Sequence, residues 1–395
     1  MRLPRSLDAL PVEGRRVLVR ADLNVPLAGG TISDDTRIRA AVPTIQALRA
    51  RGARVIVCSH LGRPKGEVRP ELSLRPVAER LAELLGAPVA FAPDCVGQVA
   101  QDAVEALAGG DVLLLENLRF HVGEEADDSI FAAALAGLAE VYVDDAFGAA
   151  HRAHASVTGV AALLPAAAGY LLRRELEVLG QLLDAPAHPF VVVSGGVKVA
   201  DKIGVIERLA GPADAILIGG AMAYTFAVAM GGYVGSSLHE GAEGQEQARR
   251  AIAACDAAGC QLLLPPDSVC GRSFSADPPQ ELFPSDAIDE GWMGLDIGAG
   301  AAASYAEHVR TAATVFWNGP MGAFELAPYA AGTLAIAEAI ADCPGTTVVG
   351  GGDSVAAITQ AGLADRVTHI STGGGASLEL LEGRTLPGVA ALPTE

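Results

Sequence analysis

The chain of 395 residues is half hydrophobic and carries a formal net charge of −19, a globular composition with room for roughly two or three domains. So acidic a protein is a poor partner for nucleic acid, because binding a phosphate backbone needs a basic field. Any anionic ligand therefore requires a local basic patch.

In chain order, short apolar runs lead into polar clusters. Val17-Leu18-Val19 runs into Arg20-Ala21-Asp22-Leu23-Asn24, Val55-Ile56-Val57 into Ser59-His60-Leu61-Gly62-Arg63, Leu113-Leu114-Leu115 into Glu116-Asn117-Leu118-Arg119, and Val141-Tyr142-Val143 into Asp144-Asp145. Further on, Val191-Val192-Val193 leads to Ser194-Gly195-Gly196-Val197-Lys198, and Ile216-Leu217-Ile218 to Gly219-Gly220. Leu262-Leu263-Leu264 leads to Pro265-Pro266-Asp267, Val315-Phe316-Trp317 to Asn318-Gly319-Pro320, Val348-Val349 to Gly350-Gly351-Gly352-Asp353-Ser354, and His369-Ile370 to Gly373-Gly374-Gly375. Unalternating β-branched runs mark strands of a parallel sheet buried on both faces, and ligands of open α/β sheets sit beyond the carboxyl ends of such strands. Helical patterns at Leu74 to Leu85, Ile130 to Leu138, Lys202 to Leu209 and Thr333 to Ile340 lie between them, giving repeated β-α-β units.

The expected fold is α/β: two doubly wound, Rossmann-like parallel-sheet domains joined by an interdomain helix and hinge. Tyr170 to Leu183 has an apolar stripe at 171, 172, 176, 179, 182 and 183 against charges at 173, 174, 175 and 177, a good amphipathic helix. It lies where arginine-bearing strand ends give way to glycine-bearing ones, and so serves as the connection, residues 170–186. The fate of the segment after Ser377 is not set by pattern.

The six cysteines, Cys58, Cys95, Cys255, Cys260, Cys270 and Cys343, show no metal-binding spacing and read as reduced and mostly buried. The N-terminal stretch lacks an apolar core of signal-peptide length, so a cytoplasmic protein is expected. Ala215 to Gly235 reaches membrane-spanning length, but the pairs Gly219-Gly220 and Gly231-Gly232 divide it more naturally into strand, helix and turn. No membrane association is expected.

Arginine outnumbers lysine 25 to 3, and two of the three lysines, Lys198 and Lys202, share the motif that follows the run at 191–193. Lysine is a compact charge on a flexible stem, suited to following a moving phosphoryl group, and a helix N-terminus adds free amides for the same anion. Gly350-Gly351-Gly352-Asp353-Ser354, between a strand and the helical Val355-Ala356-Ala357-Ile358, has the layout of a glycine-rich anion loop. Asp353 would then face a magnesium ion bridging phosphates; alone, the loop reads equally as a tight turn with an N-cap. No Walker-type P-loop sequence exists. Gly298-Ala299-Gly300-Ala301-Ala302-Ala303 matches a dinucleotide fingerprint only weakly and reads as a loop opening a small-residue helix.

In the first half, Arg20, Arg37, His60, Arg63, Arg119 and Arg152 fall at or just past strand ends. Six such groups on an acidic background point to a small polyanion. Asp22 and Asn24, two apart on extended chain, can bind hydroxyls on one side. His151 and His154 imitate a metal pair, but Arg152 between them would repel a cation. Glu116, Asp144 and Asp145 could serve as acid/base residues, but buried strand-end carboxylates more often pair with arginines, and that pairing is expected here.

These residues together resemble the phosphoglycerate kinase family. The resemblance rests on Arg20-Ala21-Asp22-Leu23-Asn24-Val25-Pro26, Asp35-Thr36-Arg37-Ile38, Ser59-His60-Leu61-Gly62-Arg63-Pro64, Glu116-Asn117-Leu118-Arg119-Phe120, His151-Arg152-Ala153-His154-Ala155-Ser156, Gly195-Gly196-Val197-Lys198, Trp317-Asn318-Gly319-Pro320, Gly351-Gly352-Asp353-Ser354 and Thr372-Gly373-Gly374-Gly375, in the family's order. It implies an N-terminal domain, 1–169 plus the returning tail 377–395, that binds 3-phosphoglycerate or 1,3-bisphosphoglycerate through Asp22, Asn24, Arg37, His60, Arg63, Arg119 and Arg152. It implies a C-terminal domain, 187–376, that binds Mg-ADP or Mg-ATP through Gly195, Lys198, Lys202, Gly219, Gly220, Gly294, Asn318, Pro320, Glu325, Gly351, Gly352, Asp353 and Ser354. Arg37, Lys198, Gly374 and Gly375 would act on the transferred phosphoryl group and Asp353 on Mg2+. The implied protein is a glycolytic phosphotransferase with a carboxyl acceptor, a cytoplasmic monomer that closes about its hinge. The competing classes are a nicotinamide-dependent dehydrogenase, supported only by the Gly298 motif, and a non-catalytic phosphometabolite-binding protein.

Overall fold

A computed structural model of the chain describes residues 2–277 and 279–394. Its contacts divide the chain into two units, Met1–Glu177 with Thr385–Glu395, and Val178–Arg384. The division falls inside the helix Tyr170–Asp184. Residues 377–384, which the sequence reading joined to the first domain, group with the second unit.

The first unit is built on strands β1 (Arg16–Arg20), β2 (Arg54–Cys58), β3 (Val89–Ala92), β4 (Val112–Leu115), β5 (Val141–Asp144) and β6 (Ala166–Ala168). They form one parallel sheet in the order β3-β4-β2-β1-β5-β6. Successive side chains of a strand point to opposite faces. Val17, Val19, Val55, Val57, Val112, Leu114, Val141 and Val143 belong to one core, while Leu18, Ile56, Leu113 and Tyr142, on the opposite face, are fully buried as well. Burial on both faces is the reason these runs do not alternate. Each such side chain contributes about 1.5–3 kcal/mol of apolar transfer, and a polar replacement within a run would lose it.

In the second unit the strands are β7 (Phe190–Ser194), β8 (Ala215–Ile218), β9 (Gln261–Leu263), β10 (Asp267–Gly271), β11 (Gln280–Pro284), β12 (Met293–Ile297), β13 (Thr314–Asn318), β14 (Thr346–Gly350) and β15 (His369–Ile370). The parallel sheet runs β9-β8-β7-β13-β14-β15, and β11-β10-β12 forms a separate antiparallel sheet. The parallel order is that of a doubly wound dinucleotide-type fold, with its switch point between β7 and β13. There Ser194 lies beside Asn318 in register, so Gly195-Gly196 and Gly319-Pro320 leave the sheet at the same crevice.

All ten apolar runs of the sequence contribute to strands of the two parallel sheets. β3 and β6 were not anticipated: β3 is an edge strand with partly exposed residues, and β6 is three alanines without a β-branched signature. The antiparallel sheet was also missed. The apolar stretch 215–235 divides, as expected, into β8, the helix Met222–Ala229 and a short strand at Tyr233–Val234. Among the described residues no helix is long and apolar enough to cross a membrane.

Candidate active site

Arg20 ends β1 with no exposed surface. A buried guanidinium must satisfy its donors internally, and here Nε donates to Ser156 Oγ at 2.8 Å, Nη1 to the Ala21 carbonyl, and Nη2 to His60 Nδ1 at 3.0 Å. Ser156 in turn donates its hydroxyl to Glu124 Oε1 at 2.6 Å and its amide to Oε2 at 3.0 Å. Burial opposes the Arg20 charge, but the wholly buried Glu124 and further anionic neighbours outweigh it, and the Arg20 pKa is raised. Arg20 was grouped with the ligand arginines in the sequence; its side chain is spent inside the unit instead, because β1 is central and its last side chain has no route to solvent.

The consequence falls on His60. Arginine can only donate, so Nδ1 accepts and the proton of the neutral ring resides on Nε2. Burial, then Arg20, Arg119, Arg37 and His154, hold the His60 pKa well below its ordinary value. His60 is thus a neutral donor. Around it, Arg37 Nη1 donates to Asp22 Oδ1 at 3.2 Å and to the Asn24 carbonyl at 3.1 Å, and Asn24 Oδ1 accepts the Gly62 amide at 2.9 Å. Arg119 Nη1 donates to the Gly62 carbonyl at 2.8 Å.

The Arg119 pKa is lowered by burial and by Arg20 and Arg63; that of His154 falls to about 4 through burial, then Arg119, Arg20, Arg152 and His151. These mutual effects place the basic residues in one field. Arg63 and Arg152 are exposed, and no ion pair of either is found among the described residues. Arg37 is matched by Asp22 and Arg119 by Glu125 at 3.3 Å, so the unmatched positive charge of this cluster sits on the exposed Arg63 and Arg152, a local basic patch in an acidic chain.

The strand-end carboxylates do not pair with arginines as expected. Asp145 accepts the Leu171 and Leu172 amides at 2.9 and 3.3 Å, Asp144 the Ala146 amide, and Glu116 the Leu74 amide and Ser73 hydroxyl. Free amides at turns and helix starts reach them first. Burial raises the carboxyl of Asp144 to about 6 and that of Asp145 to about 7.

In the second unit, the glycine loops touch backbone to backbone. A Cβ on Gly220, whose φ is +66°, would lie 2.5 Å from the Gly196 carbonyl oxygen, and one on Gly195 would overlap the Pro320 carbonyl. Beside this floor opens a cavity of about 910 Å³ lined in part by Gly220, Gly294, Pro320, Glu325 and Asp353. A second cavity of about 580 Å³ shares Gly196, Pro320 and Asp353 with it and adds Gly195, Lys198, Lys202 and Gly375. Lys202 is half-buried; burial lowers its pKa to about 8 against the opposing influence of Asp201 and Asp353. Glu379 and Glu382 also line this cavity, so the two lysines supply its positive charge.

Gly219, Asn318, Gly351, Gly352, Ser354 and Gly374 line neither cavity. Ser354 is buried and its Oγ accepts the Gly319 amide, fastening two loops. Gly219 packs against Met321. Asn318 is buried with neither amide atom hydrogen-bonded, and a Cβ on Gly351 would come within 2.9 Å of its Nδ2. Such an orphaned amide directly under a glycine loop suits a polar group approaching that loop.

Sequence reasoning missed the walls: Tyr224, Leu238, Phe274, Met293, Leu295 and Phe324 line the larger cavity. Leu238 and Phe274 are large apolar side chains about 60% exposed, a signal that exists only once the chain is folded. The Gly298 motif opens the helix Ala299–Arg310, whose Gly300 and Ala301 amides donate to the Asp267 carboxylate at 3.0 and 2.7 Å. Asp267 already fills the place a pyrophosphate would need.

A cationic cluster in one α/β unit, and a glycine floor with two lysines and an exposed carboxylate in the other, define a two-site phosphotransferase. The family model for phosphoglycerate kinase matches residues 7–384. The chain is 54% identical over 388 residues to a phosphoglycerate kinase of Moorella thermoacetica, covering 98% of both, and 56% identical over 401 residues to one of a Parafrankia species, covering 98% and 99%. Phosphoglycerate kinase structures from Coxiella burnetii and Pyrococcus horikoshii superpose with TM-scores of 0.88 and 0.84 at 38% and 32% identity, each over 98% of both chains. The chain belongs to the phosphoglycerate kinase family.

Replacing Arg20 by Met should destabilise the first unit by about 3–5 kcal/mol, since Glu124 would be left buried without its cation. Urea unfolding followed by circular dichroism measures this; an unchanged midpoint would show that the pair carries no such weight.

Proposed function

We infer that the protein transfers a phosphoryl group reversibly between 1,3-bisphosphoglycerate and ADP, giving 3-phosphoglycerate and ATP, as a glycolytic enzyme of the cytoplasm acting as a monomer on small molecules alone. The observation that carries this reading is the separation of two anion sites of different chemistry, guanidinium forks in one unit and a glycine floor with lysines in the other. The phosphoglycerate is held by Arg37, Arg63, Arg119 and Arg152, with His60 Nε2–H, Asp22 and Asn24 engaging its neutral and hydroxyl oxygens. The nucleotide occupies the cavity of about 910 Å³, of a size usual for such ligands, with Glu325 available to the ribose hydroxyls.

A carboxylate attacking ATP is ionised near neutral pH, so no general base is required. Catalysis is then positioning and charge neutralisation. Lys198 and Arg37 neutralise the group in transfer, Lys202 the nucleotide phosphates, and the backbone at Gly374 and Gly375 the developing charge. Asp353, exposed at the edge of both cavities, fits a single carboxylate ligand of a phosphate-bound Mg2+, with the Asn318 amide below the same loop. Magnesium there would screen the phosphate charge. Because the two substrates belong to different units, transfer requires the units to close and exclude water. The filled N-terminus at Asp267 weighs against a nicotinamide coenzyme.

In a coupled assay with ATP and 3-phosphoglycerate, the protein should form 1,3-bisphosphoglycerate and Lys198→Ala should lower kcat by about 10²–10³-fold. A wild type without turnover overturns the assignment. Small-angle scattering should report compaction when both substrates are added, and no change in radius would refute closure. Nucleotide affinity should weaken as pH rises above about 8, where free Lys202 loses its proton, while Lys202→Arg should flatten that dependence; calorimetric titration across pH 7 to 10 decides it.

A further inference from the structure

The helix Ala242–Ala258 ends in a left-handed residue, Gly259, with φ of 74°. Two hydrogen bonds close it: the Cys260 amide donates to the Cys255 carbonyl at 2.9 Å, and the Gly259 amide to the Asp256 carbonyl at 3.3 Å. That pattern is the Schellman motif, in which the side chains four residues before the left-handed glycine and one after it are brought together. An apolar pair usually fills those places. Here both are cysteines, the two sulfurs close enough to perturb one another, with the Cys260 thiol directed at the Gln261 carbonyl at 4.0 Å. Both are free, with exposures of 0% and 5%, and the surrounding Asp256, Ala257, Ala258, Gly259 and Gln261 are exposed. The pair therefore lies just under the surface, and neither residue lines a cavity of the active site.

We propose that Cys255 and Cys260 form a reversible oxidation site, closing a disulfide across the helix cap when hydrogen peroxide is present. The Cys260 thiolate attacks a peroxide oxygen, the O–O bond breaks, and the departing hydroxide takes up a proton to leave as water. Cys255 then attacks the sulfenyl sulfur while surrendering its proton, the S–S bond forms, the S–O bond breaks, and a second water leaves. Two electrons pass from the thiols to the peroxide. Cys260 is the attacking group because the neighbouring Cys255 lowers its pKa despite burial, whereas burial raises the pKa of Cys58, Cys95, Cys270 and Cys343. The bond would tie the last turn of the helix to Gln261, the first residue of the edge strand β9.

The test treats the folded full-length protein with hydrogen peroxide, quenches it, and counts alkylatable thiols after denaturation. Trypsin leaves Cys255, Cys260 and Cys270 on one peptide, 251–272, so variants assign the bond. Wild type and Cys270→Ser should each lose two thiols and regain them with dithiothreitol, while Cys255→Ser and Cys260→Ser should lose no pair. Cys255→Ser should also trap a sulfenic acid at Cys260, read by mass spectrometry as a dimedone adduct. Retention of all six thiols in the wild type, or loss of a pair in Cys255→Ser, would overturn the proposal.

Discussion

A strand buried on both faces has nowhere to place a polar side chain except beyond its end. The central strands of both parallel sheets obey that constraint, and the chemistry of each unit is accordingly concentrated where strands stop. The sheet order adds the position: a chain that winds one way and then the other opens a crevice at its switch point. In the second unit this crevice lies between β7 and β13, beside Gly195 and Gly319. In the first unit, β1 lies between β2 and β5, and the clusters at Arg20, His60 and Asp144 follow those three strands.

Arg20 departs from the rule, and its departure organises the rest of the basic cluster. A guanidinium at the end of a central strand cannot be abandoned in the interior, so Ser156, Glu124 and His60 are all held against it. The same contacts settle which nitrogen of His60 carries a proton. A strictly structural cation thereby sets the donor pattern of its neighbour, leaving the Nε2–H of His60 as the one donor the ring can offer.

Much of this was legible in the sequence because parallel strands carry a strong local signature. The central strands are unbroken β-branched runs, and the motifs at their ends have fixed residue types for fixed chemical reasons. What was not legible depended on contacts distant in sequence. Ala166–Ala168 is a strand because Val143 lies alongside it, not because alanine favours extension. The expectation that Glu116, Asp144 and Asp145 take arginine partners failed because amides freed at local turns lay closer. The apolar walls of the larger cavity come from segments spread between Val197 and Phe324, none distinctive alone. The Gly298 motif needed Asp267, thirty-one positions earlier, before its glycines could be understood as fitting a carboxylate of the chain itself.

The glycine floor of the second unit is main chain pressed on main chain, with Gly195 and Gly319 closing on each other's backbones and Gly220 on those of Gly196 and Pro320, leaving no volume for a side chain. A surface made this way presents only amides and carbonyls, which are the same in every protein. It cannot be tuned by substitution. Divergence in this unit's cavities must therefore arise in the surrounding walls, and the floor is the part with the least freedom to change.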